Sequence, residues 1–257
     1  MIRNKSVLAI ITARNGSQGL PGKNFRNFLG KPLFMWSVDA ALESKFVDFV
    51  QINTNCLEIK KIATKKWNLY CTDNKGSMRE ASHRLTLVNR PNEISTSTSK
   101  NEDALLYGVE QFYEKRGFEP DIIVNLQPTS PIRGEILIDQ CISAMLDHRK
   151  NSLMTASKHT PFFVRIREDY VEWLYNPEKR PMRQELRDPE DFFWHDDGCV
   201  YVVTTKFLKA SHCRLSDNPC IFENDKYCSM QIDSEDDFVM LEAIRKELDK
   251  IGGIQYI

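Results

Sequence analysis

A glycine-rich segment, Ala13–Asn24, directly follows the apolar run Val7–Ile11. Its sequence, A-R-N-G-S-Q-G-L-P-G-K-N, contains three glycines and two cations, Arg14 and Lys23. Such a loop leaves backbone N–H groups open and adds two fixed positive charges at the end of a strand. This combination favours an anionic ligand such as a polyphosphate. The alternative is a flexible glycine-rich turn whose charges are incidental.

The glycine spacing excludes two familiar phosphate-binding loops. Walker A requires G-x-x-x-x-G-K-[ST], whereas five residues separate Gly16 from Gly22, and Asn24 stands where the hydroxyl residue belongs. The dinucleotide fingerprint G-x-G-x-x-G does not fit either, because the glycines fall at 16, 19 and 22. The loop therefore indicates phosphate without naming a reaction.

A second polar segment, Gln127–Arg133, reads Q-P-T-S-P-I-R after a buried strand. Its two prolines predict a rigid turn that presents the hydroxyls of Thr129 and Ser130 at the edge of the sheet. The alternative is a turn that leads into a helix, with Ser or Thr as the cap.

Two acidic segments lie further along the chain. M-Q-I-D-S-E-D-D-F at 230–238 predicts a short strand that ends at Asp233 and a helix that Ser234 caps. The carboxylates of Glu235–Asp237 then complement the helix dipole, whereas Asp233 lies before the first turn and is free to bind a metal. W-H-D-D-G-C-V-Y-V at 194–202 places two carboxylates and a glycine before a core strand.

The elements that position these segments alternate over the first 160 residues. The predicted strands are Ser6–Thr12, Asp48–Asn53, Leu85–Asn89 and Asp121–Gln127. The predicted helices are Pro32–Glu43, Glu58–Lys66, Asn101–Lys115 and Gly134–His148. Continuous apolar runs indicate strands covered on both faces, as in a parallel sheet. Ligands of such sheets bind beyond the carboxyl ends of the strands, so we expect three loops to meet there: Ala13–Asn24, Arg90–Asn101 and Pro128–Arg133.

The pattern changes at 160–193. Phe162–Arg167 and Val171–Tyr175 predict a hairpin, and a polar segment, Asn176–Asp191, follows it. We interpret this region as an arm inserted into a single domain that spans 1–257. Beyond it, the sequence predicts a core strand over Cys199–Val203 and a terminal helix over Ser234–Leu248. The polar stretch Cys71–Arg84 is interpreted as a solvated excursion.

Composition limits the possible partners and the location. Lys+Arg 35 against Asp+Glu 36 leaves a net charge of −1, so no global basic field attracts nucleic acid. The N-terminus leads into only about six apolar residues, too short for a signal peptide or a membrane span. We therefore expect no nucleic-acid or membrane partner.

The seven cysteines form no C-x-x-C pair, which is typical of a reducing cytoplasm. Zinc binding by His212, Cys213, Cys220 and Cys228 is disfavoured because their spacing matches no familiar ligand pattern.

Five segments in this order resemble the acylneuraminate cytidylyltransferases, the CMP-sialic acid synthetase family. They are A-R-N-G-S-Q-G-L-P-G-K-N with the following G-K-P-L, R-P-N-E-I, L-Q-P-T-S-P-I-R, D-G-C-V-Y and I-D-S-E-D-D-F. Each motif is short, but their order is specific. The resemblance covers nearly the whole chain except Cys71–Arg84 and parts of the arm.

The resemblance implies an α/β fold with a doubly wound, mostly parallel sheet of the nucleotide-diphospho-sugar transferase type. It also implies a small β-rich dimerisation arm at 160–193 and therefore a homodimer. The implied reaction joins CTP and an α-keto sugar acid to give a CMP-sugar and pyrophosphate, with Mg²⁺ as cofactor.

The resemblance also implies roles for individual residues. Arg14 and Lys23 are implied to be catalytic, and Asp233 is implied to bind the metal. The residues implied to bind CTP are Ala13, Arg14, Asn15, Gly16, Ser17, Lys23, Asn24 and Arg90. The residues implied to bind the sugar acid are Gln127, Thr129, Ser130, Arg183, Gln184, Asp197 and Tyr201.

Two departures from the family pattern bear on the metal and the sugar. The metal-binding element commonly reads D-x-D, but this chain has Gln231-Ile232-Asp233. Because Gln offers a carbonyl oxygen without charge, we expect weaker magnesium binding. Asp197 stands where sialic acid synthetases often have Asn. Our hypothesis is that Asp197 contacts the sugar or its metal; the alternative is a turn formed by Asp196 and Asp197.

The sequence thus predicts a cytoplasmic cytidylyltransferase for a nonulosonic acid of the sialic, legionaminic or pseudaminic type. Two alternatives stay open: a transferase for 3-deoxy-octulosonate, and a non-catalytic nucleotide-sugar binding protein, which Gln231 would permit. In the arm, Arg183 and Gln184 reach a sugar carboxylate or belong to a solvated charged loop.

Overall fold

The computed structural model describes residues 1–16, 19–69 and 84–250. The strands are β1 (Val7–Thr12), β2 (Asn27–Phe28), β3 (Lys31–Pro32), β4 (Phe49–Thr54), β5 (Leu85–Asn89), β6 (Ile122–Leu126), β7 (Ser152–His159), β8 (Val164–Ile166), β9 (Val171–Trp173), β10 (Phe193–Thr204) and β11 (Cys220–Glu223). The α-helices are α1 (Leu33–Glu43), α2 (Leu57–Trp67), α3 (Asn101–Arg116), α4 (Glu135–Asp147), α5 (Thr205–Ser211) and α6 (Glu235–Lys250).

Seven strands form the central sheet in the order β11-β7-β10-β6-β1-β4-β5. β1 pairs in parallel with both β4 and β6, and β4 pairs in parallel with β5. β10 runs antiparallel to its neighbours β6 and β7, and β11 is parallel to β7. The predicted doubly wound, mostly parallel sheet is therefore confirmed.

Helices cover both faces of the sheet, which explains the continuous apolar runs of its strands. On β1, Val7, Ala9 and Ile11 pack into the larger core cluster, while Leu8 and Ile10 pack into the smaller one. The larger cluster includes residues of α1, α2, α4 and α6; the smaller includes residues of α3 and α5. Burial on both sides makes β1 a rigid support for the loop that follows it.

The predicted elements of the first 150 residues are confirmed to within one or two residues at their ends. The sequence pattern does not predict β2, β3, β7, β11 or α5, and it begins the strand of β10 at Cys199 instead of Phe193. Its short strand ending at Asp233 is wrong: residues 230–233 form a loop, in which Ile232 is buried while its backbone N–H donates to the Thr129 carbonyl oxygen, 2.9 Å away. A single bond to a loop residue does not make a strand.

The hairpin in the arm lies where the pattern predicts it, as the two short strands β8 and β9. It presents apolar side chains to solvent: Ile166 is 82% exposed and Trp173 is 50% exposed. The base of the arm is built from β7 and β10, where His159 pairs with Phe193. Apart from Arg84, the stretch Cys71–Arg84 lies outside the described residues. Within the described residues, the helices are all too short or too polar to cross a membrane.

Candidate functional site

The three loops expected to meet do line one pocket, of about 380 Å³, at the carboxyl ends of β1, β5 and β6. The segment 230–233 closes the pocket on a further side. The lining residues are Thr12, Arg14, Gly19, Lys23, Asn24, Arg90, Ile94, Thr96, Ser99, Lys100, Asn101, Gln127, Pro128, Thr129, Gln231 and Asp233. Of the predicted site residues, the pocket thus brings together Arg14, Lys23, Asn24, Arg90, Gln127, Thr129 and Asp233.

Lys23 is a buried cation in this pocket, only 9% exposed. Gly22, at φ 72°, precedes the single 3-10 turn that carries it. The Lys23 ammonium donates to the carbonyl oxygen of Ile232 at 2.7 Å and to Oδ1 of Asp233 at 2.9 Å. An ammonium has three donors, so these two bonds leave one for a ligand.

Gly19 is required by the close approach of the glycine-rich loop to the 230–233 segment. A Cβ at this position would overlap the carbonyl oxygen of Asp233. A side chain there would push the two segments apart and disturb the contact between Lys23 and Asp233. This close approach explains one of the glycines by geometry rather than by flexibility.

Arg14 connects the first loop to the second. Its Nη1 donates to the carbonyl oxygen of Thr96, and its own carbonyl oxygen accepts a bond of 3.1 Å from Asn24 Nδ2. Asn24 is therefore a support for the backbone of Arg14 as well as a pocket residue. The Arg14 guanidinium stays half-buried at the pocket, where it can meet an anion.

Arg90 is the most unusual charge of the site. It is 5% exposed, and its Nε and Nη2 atoms have no hydrogen-bond partner among the described residues. Burial, with a smaller contribution from the Arg14 cation, lowers the pKa of Arg90 to about 10. A buried guanidinium with unused N–H groups beside a pocket is prepared for an anion that the pocket receives.

The N-terminus of α3 also faces the pocket, through Lys100 and Asn101. No side chain caps this end of the 16-residue helix. Asn101 Nδ2 donates to Oδ1 of Asn125 on β6, 2.6 Å away, which fixes the start of the helix against the sheet. The helix dipole adds positive potential to that of Arg90. Lys100 and Asn101 were missed as individual site residues, although the predicted start of the helix at 101 marks them.

The third loop, Pro128–Arg133, contains residues that line the pocket and residues that hold the loop in place. Gln127 and Thr129 line the pocket, whereas Ser130 is 1% exposed and does not. The buried Arg133 holds this loop: its guanidinium donates to the carbonyl oxygens of Gln127 and Cys199 and to the hydroxyl of Ser37. The predicted sugar-binding role of Ser130 therefore finds no support in the pocket lining.

Asp197 is placed differently from the hypothesis that it contacts the sugar or its metal. Its carboxylate is fully buried and does not line the pocket. It accepts hydrogen bonds from Thr155 Oγ1 at 2.6 Å, from the backbone N–H of Cys199 at 2.9 Å and from Asn224 Nδ2 at 2.9 Å. The physical reason is a bulge in β10 between Asp196 and Tyr201, which turns this carboxylate into the sheet.

Tyr201, predicted at the sugar, is likewise buried and outside the pocket lining. Its hydroxyl donates to Asp196 Oδ1 at 2.8 Å, and its ring lies 4.4 Å from the Arg214 guanidinium. Burial raises the pKa of Tyr201 to about 12, against the opposing effect of Arg214. The phenol is thus a neutral packing and hydrogen-bonding group in this structure.

The other predicted residues that the structure describes do not line the pocket. Ala13 is fully buried and pairs with β4, while Asn15 donates its backbone N–H to Asn55 Oδ1 at 2.8 Å. Gly16 is exposed, at φ 81°, and does not line the pocket. Ser17 lies outside the described residues. Arg183 and Gln184 are exposed on a single 3-10 turn of the arm and do not reach this pocket.

The donor set for magnesium in the pocket is small. Asp233 supplies the one carboxylate among the lining residues in the described part of the chain, and Gln127 and Gln231 supply amide groups. The described residues contain no group of three or more His, Cys, Asp or Glu suited to a metal. Mg²⁺ is commonly bound through one or two carboxylates plus substrate phosphates. The residues present therefore fit a magnesium ion that a nucleotide triphosphate shares with Asp233.

Comparisons with known proteins identify similar sequences and a similar fold. Residues 8–99 match a family described as cytidylyltransferase. N-acylneuraminate cytidylyltransferase of Streptococcus agalactiae serotype V is 24% identical over 257 residues, covering 95% of this chain and 56% of that protein. Post-translational flagellin modification protein B of Campylobacter coli is 25% identical over 248 residues, covering 94% of this chain and 95% of that protein.

A solved structure, CMP:2-keto-3-deoxy-manno-octonic acid synthetase in complex with CTP, has the same fold. Its TM-score is 0.61 at 16% sequence identity, and the match covers 94% of this chain and 99% of that one. The likeness at this identity supports the fold alone. The chain spans little more than half the length of the Streptococcus relative. These similarities confirm the resemblance that the five segments indicate.

Proposed function

We propose that this chain, a relative of the N-acylneuraminate cytidylyltransferases, joins CTP to a nonulosonic acid and releases a CMP-sugar and pyrophosphate. The observation that carries the proposal is Arg90, a buried guanidinium with unused N–H groups beside the pocket of Arg14 and Lys23. Four cations, Arg14, Lys23, Arg90 and Lys100, and the uncapped end of α3 lie around one pocket and favour a polyanion. The triphosphate of CTP supplies that charge.

The proposed reaction is an in-line displacement at the α-phosphorus of CTP. The anomeric hydroxyl oxygen of the sugar acid forms the new P–O bond, and its proton passes to solvent. The bond from the α-phosphorus to the oxygen that bridges it to the β-phosphorus breaks, and pyrophosphate leaves with the electron pair. The protein's task is positioning and charge neutralisation. Arg14 and Lys23 are placed to offset the negative charge that grows on pyrophosphate.

Magnesium is proposed as the cofactor, held by Asp233 and the phosphates of CTP. When bound, it would act as a Lewis acid that neutralises phosphate charge. Lys23 lies within hydrogen-bonding distance of the same carboxylate. Gln231 offers no charge, so Asp233 would be the main protein contribution to metal affinity.

On the sugar side, Gln127 and Thr129 are the proposed contacts because they line the same pocket as Arg14 and Lys23. We also propose a homodimer formed through the arm. A partner surface would cover the exposed apolar side chains of β8 and β9. Arg183 and Gln184 do not line the pocket of their own chain, and we propose that they reach the sugar acid of a second copy. A cytoplasmic location is proposed from the six described cysteines, which are all free thiols.

The test is pyrophosphate release from each of the four nucleoside triphosphates with a panel of sugar acids, with products identified by mass spectrometry. The panel contains sialic, legionaminic and pseudaminic acids and 3-deoxy-octulosonate. We expect release with CTP and at least one nonulosonic acid. Release with 3-deoxy-octulosonate alone would establish the shorter sugar acid instead. CTP binding without release for any acid would overturn the enzymatic proposal in favour of a nucleotide-binding protein.

A further inference from the structure

Gln231 stands at the junction of three parts of the site. Its Nε2 donates to the main-chain carbonyl oxygen of Asp197, and its Oε1 accepts a bond of 3.3 Å from the Thr129 hydroxyl. The next residue adds a second bond to the same loop, because the Ile232 N–H donates to the Thr129 carbonyl oxygen at 2.9 Å. The Ile232 carbonyl oxygen in turn accepts from Lys23.

The two partners require an amide at this position. A main-chain carbonyl oxygen can only accept, so the group facing Asp197 must be a donor. The Thr129 hydroxyl donates to the other end of the same side chain. A carboxylate at 231 would have no proton for the Asp197 carbonyl and would repel its oxygen. The amide thus satisfies both neighbours, whereas an Asp or Glu could accept from Thr129 but could not donate to the Asp197 carbonyl.

The acceptor of this bond is held rigidly. The three hydrogen bonds to the Asp197 carboxylate fix the bulge in β10. Gly198 follows at φ 66°, and a Cβ there would overlap Gln231 Nε2. The backbone at 197–198 and the side chain at 231 are therefore fitted to one another, and the bulge has a use at the pocket although the Asp197 carboxylate does not reach it.

We propose that Gln231 is a positioning residue for the Thr129 loop and not a weakened ligand of the metal. The proposal rests on the proposed function, since Thr129 is a proposed contact of the sugar acid. Gln231 links two parts of the pocket wall: the loop that contains Thr129 and the fixed bulge of β10. Gln231 thereby orders the sugar side of the pocket through Thr129 and makes no contact with the metal.

The two roles of Gln231 predict opposite results for acidic substitutions. If Gln231 is a ligand that lacks charge, Gln231→Glu and Gln231→Asp will tighten metal binding. If it is a positioning residue, both will fail to do so. They will instead raise the KM of the sugar acid about tenfold, through the loss of one hydrogen bond and the repulsion of Asp197, while the KM of CTP changes little.

The decisive measurement is Mn²⁺ binding to the protein–CTP complex, followed by electron paramagnetic resonance, because it needs no turnover. We expect the Mn²⁺ affinity of Gln231→Glu to stay within about threefold of that of the unaltered protein. Under the proposal Gln231 does not contact the metal, so the new carboxylate replaces no metal ligand. Tighter Mn²⁺ binding with an unchanged sugar KM would overturn the proposal. The matched control is Gln140→Glu, the same charge change at an exposed glutamine of α4.

Thr129 provides a second test that avoids a charge in the pocket. Thr129→Val removes the hydroxyl, and Thr129→Ser retains it. We expect Val to raise the sugar KM and Ser to restore it to within about twofold, and the effects of Thr129→Val and Gln231→Met not to add. Additive effects would contradict the proposed link between Gln231 and Thr129.

The two proposals fail in distinguishable ways. If the unaltered protein releases no pyrophosphate with any acid, the proposed function is overturned. The Gln231 proposal is then judged by Mn²⁺ binding and by the melting temperatures of the Thr129 and Gln231 single and double variants. Independent melting effects, or tighter Mn²⁺ binding in Gln231→Glu, would overturn it as well.

Discussion

Lys23 and Asp233, 210 residues apart in the sequence, form an ion pair of 2.9 Å across the edge of the pocket. The partners are unequal, because the lysine side chain is 11% exposed and the aspartate side chain 74% exposed. The buried cation is thus neutralised by a carboxylate that solvent and ligand can reach. A polyphosphate that binds Lys23 would leave Asp233 open to a metal ion.

Asp233→Asn tests the carboxylate of this pair. We expect turnover to fall on the order of 100-fold and the Mg²⁺ requirement to rise, because a preorganised charge is lost from the metal and from Lys23. The melting temperature should fall as well, because the substitution leaves the buried Lys23 ammonium without its neutralising carboxylate. The control is Asp236→Asn on the first turn of α6, outside the pocket lining. Equal Mg²⁺ titration curves for both variants would contradict the role of Asp233.

Arg90→Met should separate stability from nucleotide binding. The lowered pKa of Arg90, about 10, means that burial disfavours its charged form, so at neutral pH the guanidinium costs folding free energy. We expect the variant to be as stable as the unaltered protein or more so in urea unfolding. The Kd of CTP should rise about 10-fold to 100-fold, as for loss of a hydrogen bond to a charged group. A marked loss of stability with unchanged CTP affinity would show that Arg90 is a structural residue.

Asp197→Asn should affect stability without affecting the metal. The new amide replaces one carboxylate oxygen by an NH2 donor. Depending on its orientation, this donor faces either Asn224 Nδ2 or the Cys199 N–H, and one hydrogen bond is lost. The free energy of unfolding should therefore fall by about 1–3 kcal/mol. Mg²⁺ dependence should remain unchanged, because the carboxylate lies outside the pocket lining. Urea unfolding and a Mg²⁺ titration check the two expectations. A shifted Mg²⁺ optimum in a fully stable variant would instead support the hypothesis that Asp197 contacts the sugar or its metal.

Asp237 gives a pH-dependent prediction. The Ser234 hydroxyl donates to its carboxylate, and further bonds come from the backbone N–H groups of Ser234 and Asp233. These bonds lower the pKa of Asp237, the hydroxyl contributing most. A lowered carboxyl pKa stabilises the fold above the ordinary Asp value, and this contribution is lost as pH falls through the lowered pKa.

Asp237→Asn should therefore lower the melting temperature near neutral pH and flatten its decline as the pH falls below about 4, the ordinary value of an Asp carboxyl. The loss should be about 0.5–1 kcal/mol, typical of a helix N-terminal cap in contact with solvent. Asp236→Asn again serves as the control. A decline as steep as in the unaltered protein would exclude Asp237 as the titrating group.

Ile166→Asp tests the arm as a dimer surface. We expect sedimentation to shift from dimer to monomer, because a charge would be buried in an apolar contact. The sugar KM should rise while CTP affinity stays constant, since the residues proposed to bind CTP lie within one chain. Val239→Asp is the control, an exposed apolar residue of α6 outside the arm. A monomeric unaltered protein would refute the homodimer proposal.

The sequence allowed most of the sheet to be predicted because buried parallel strands read as continuous apolar runs, as in Val7–Ile11. β7 was missed because polar residues interrupt its run, Ser152–His159, and its last two residues are exposed. β2 and β3 were missed because each has only two residues. β11 and α5 were missed because they are short. The antiparallel direction of β10 was not evident either, since direction depends on pairing rather than on local pattern.

For the site, the order of the loops was sufficient to bring Arg14, Lys23 and Arg90 together at one edge of the sheet. Asp197 and Tyr201 could not be placed in this way, because a single bulge decides which face of β10 each side chain occupies. Asp233 was placed at the pocket correctly although the strand predicted before it is absent among the described residues. Its position follows from the helix cap at Ser234 and not from a sheet.

The pairing of His159 with Phe193 has a consequence for protein engineering. The boundaries of the arm fall at the last residue of β7 and the first residue of β10. Excision of 160–193 would therefore remove part of a hydrogen-bonded strand pair rather than a flexible linker. β10 continues from there to Tyr201 beside β6. A shortened version of the protein should therefore retain both strands in full and replace only the tip with a tight turn.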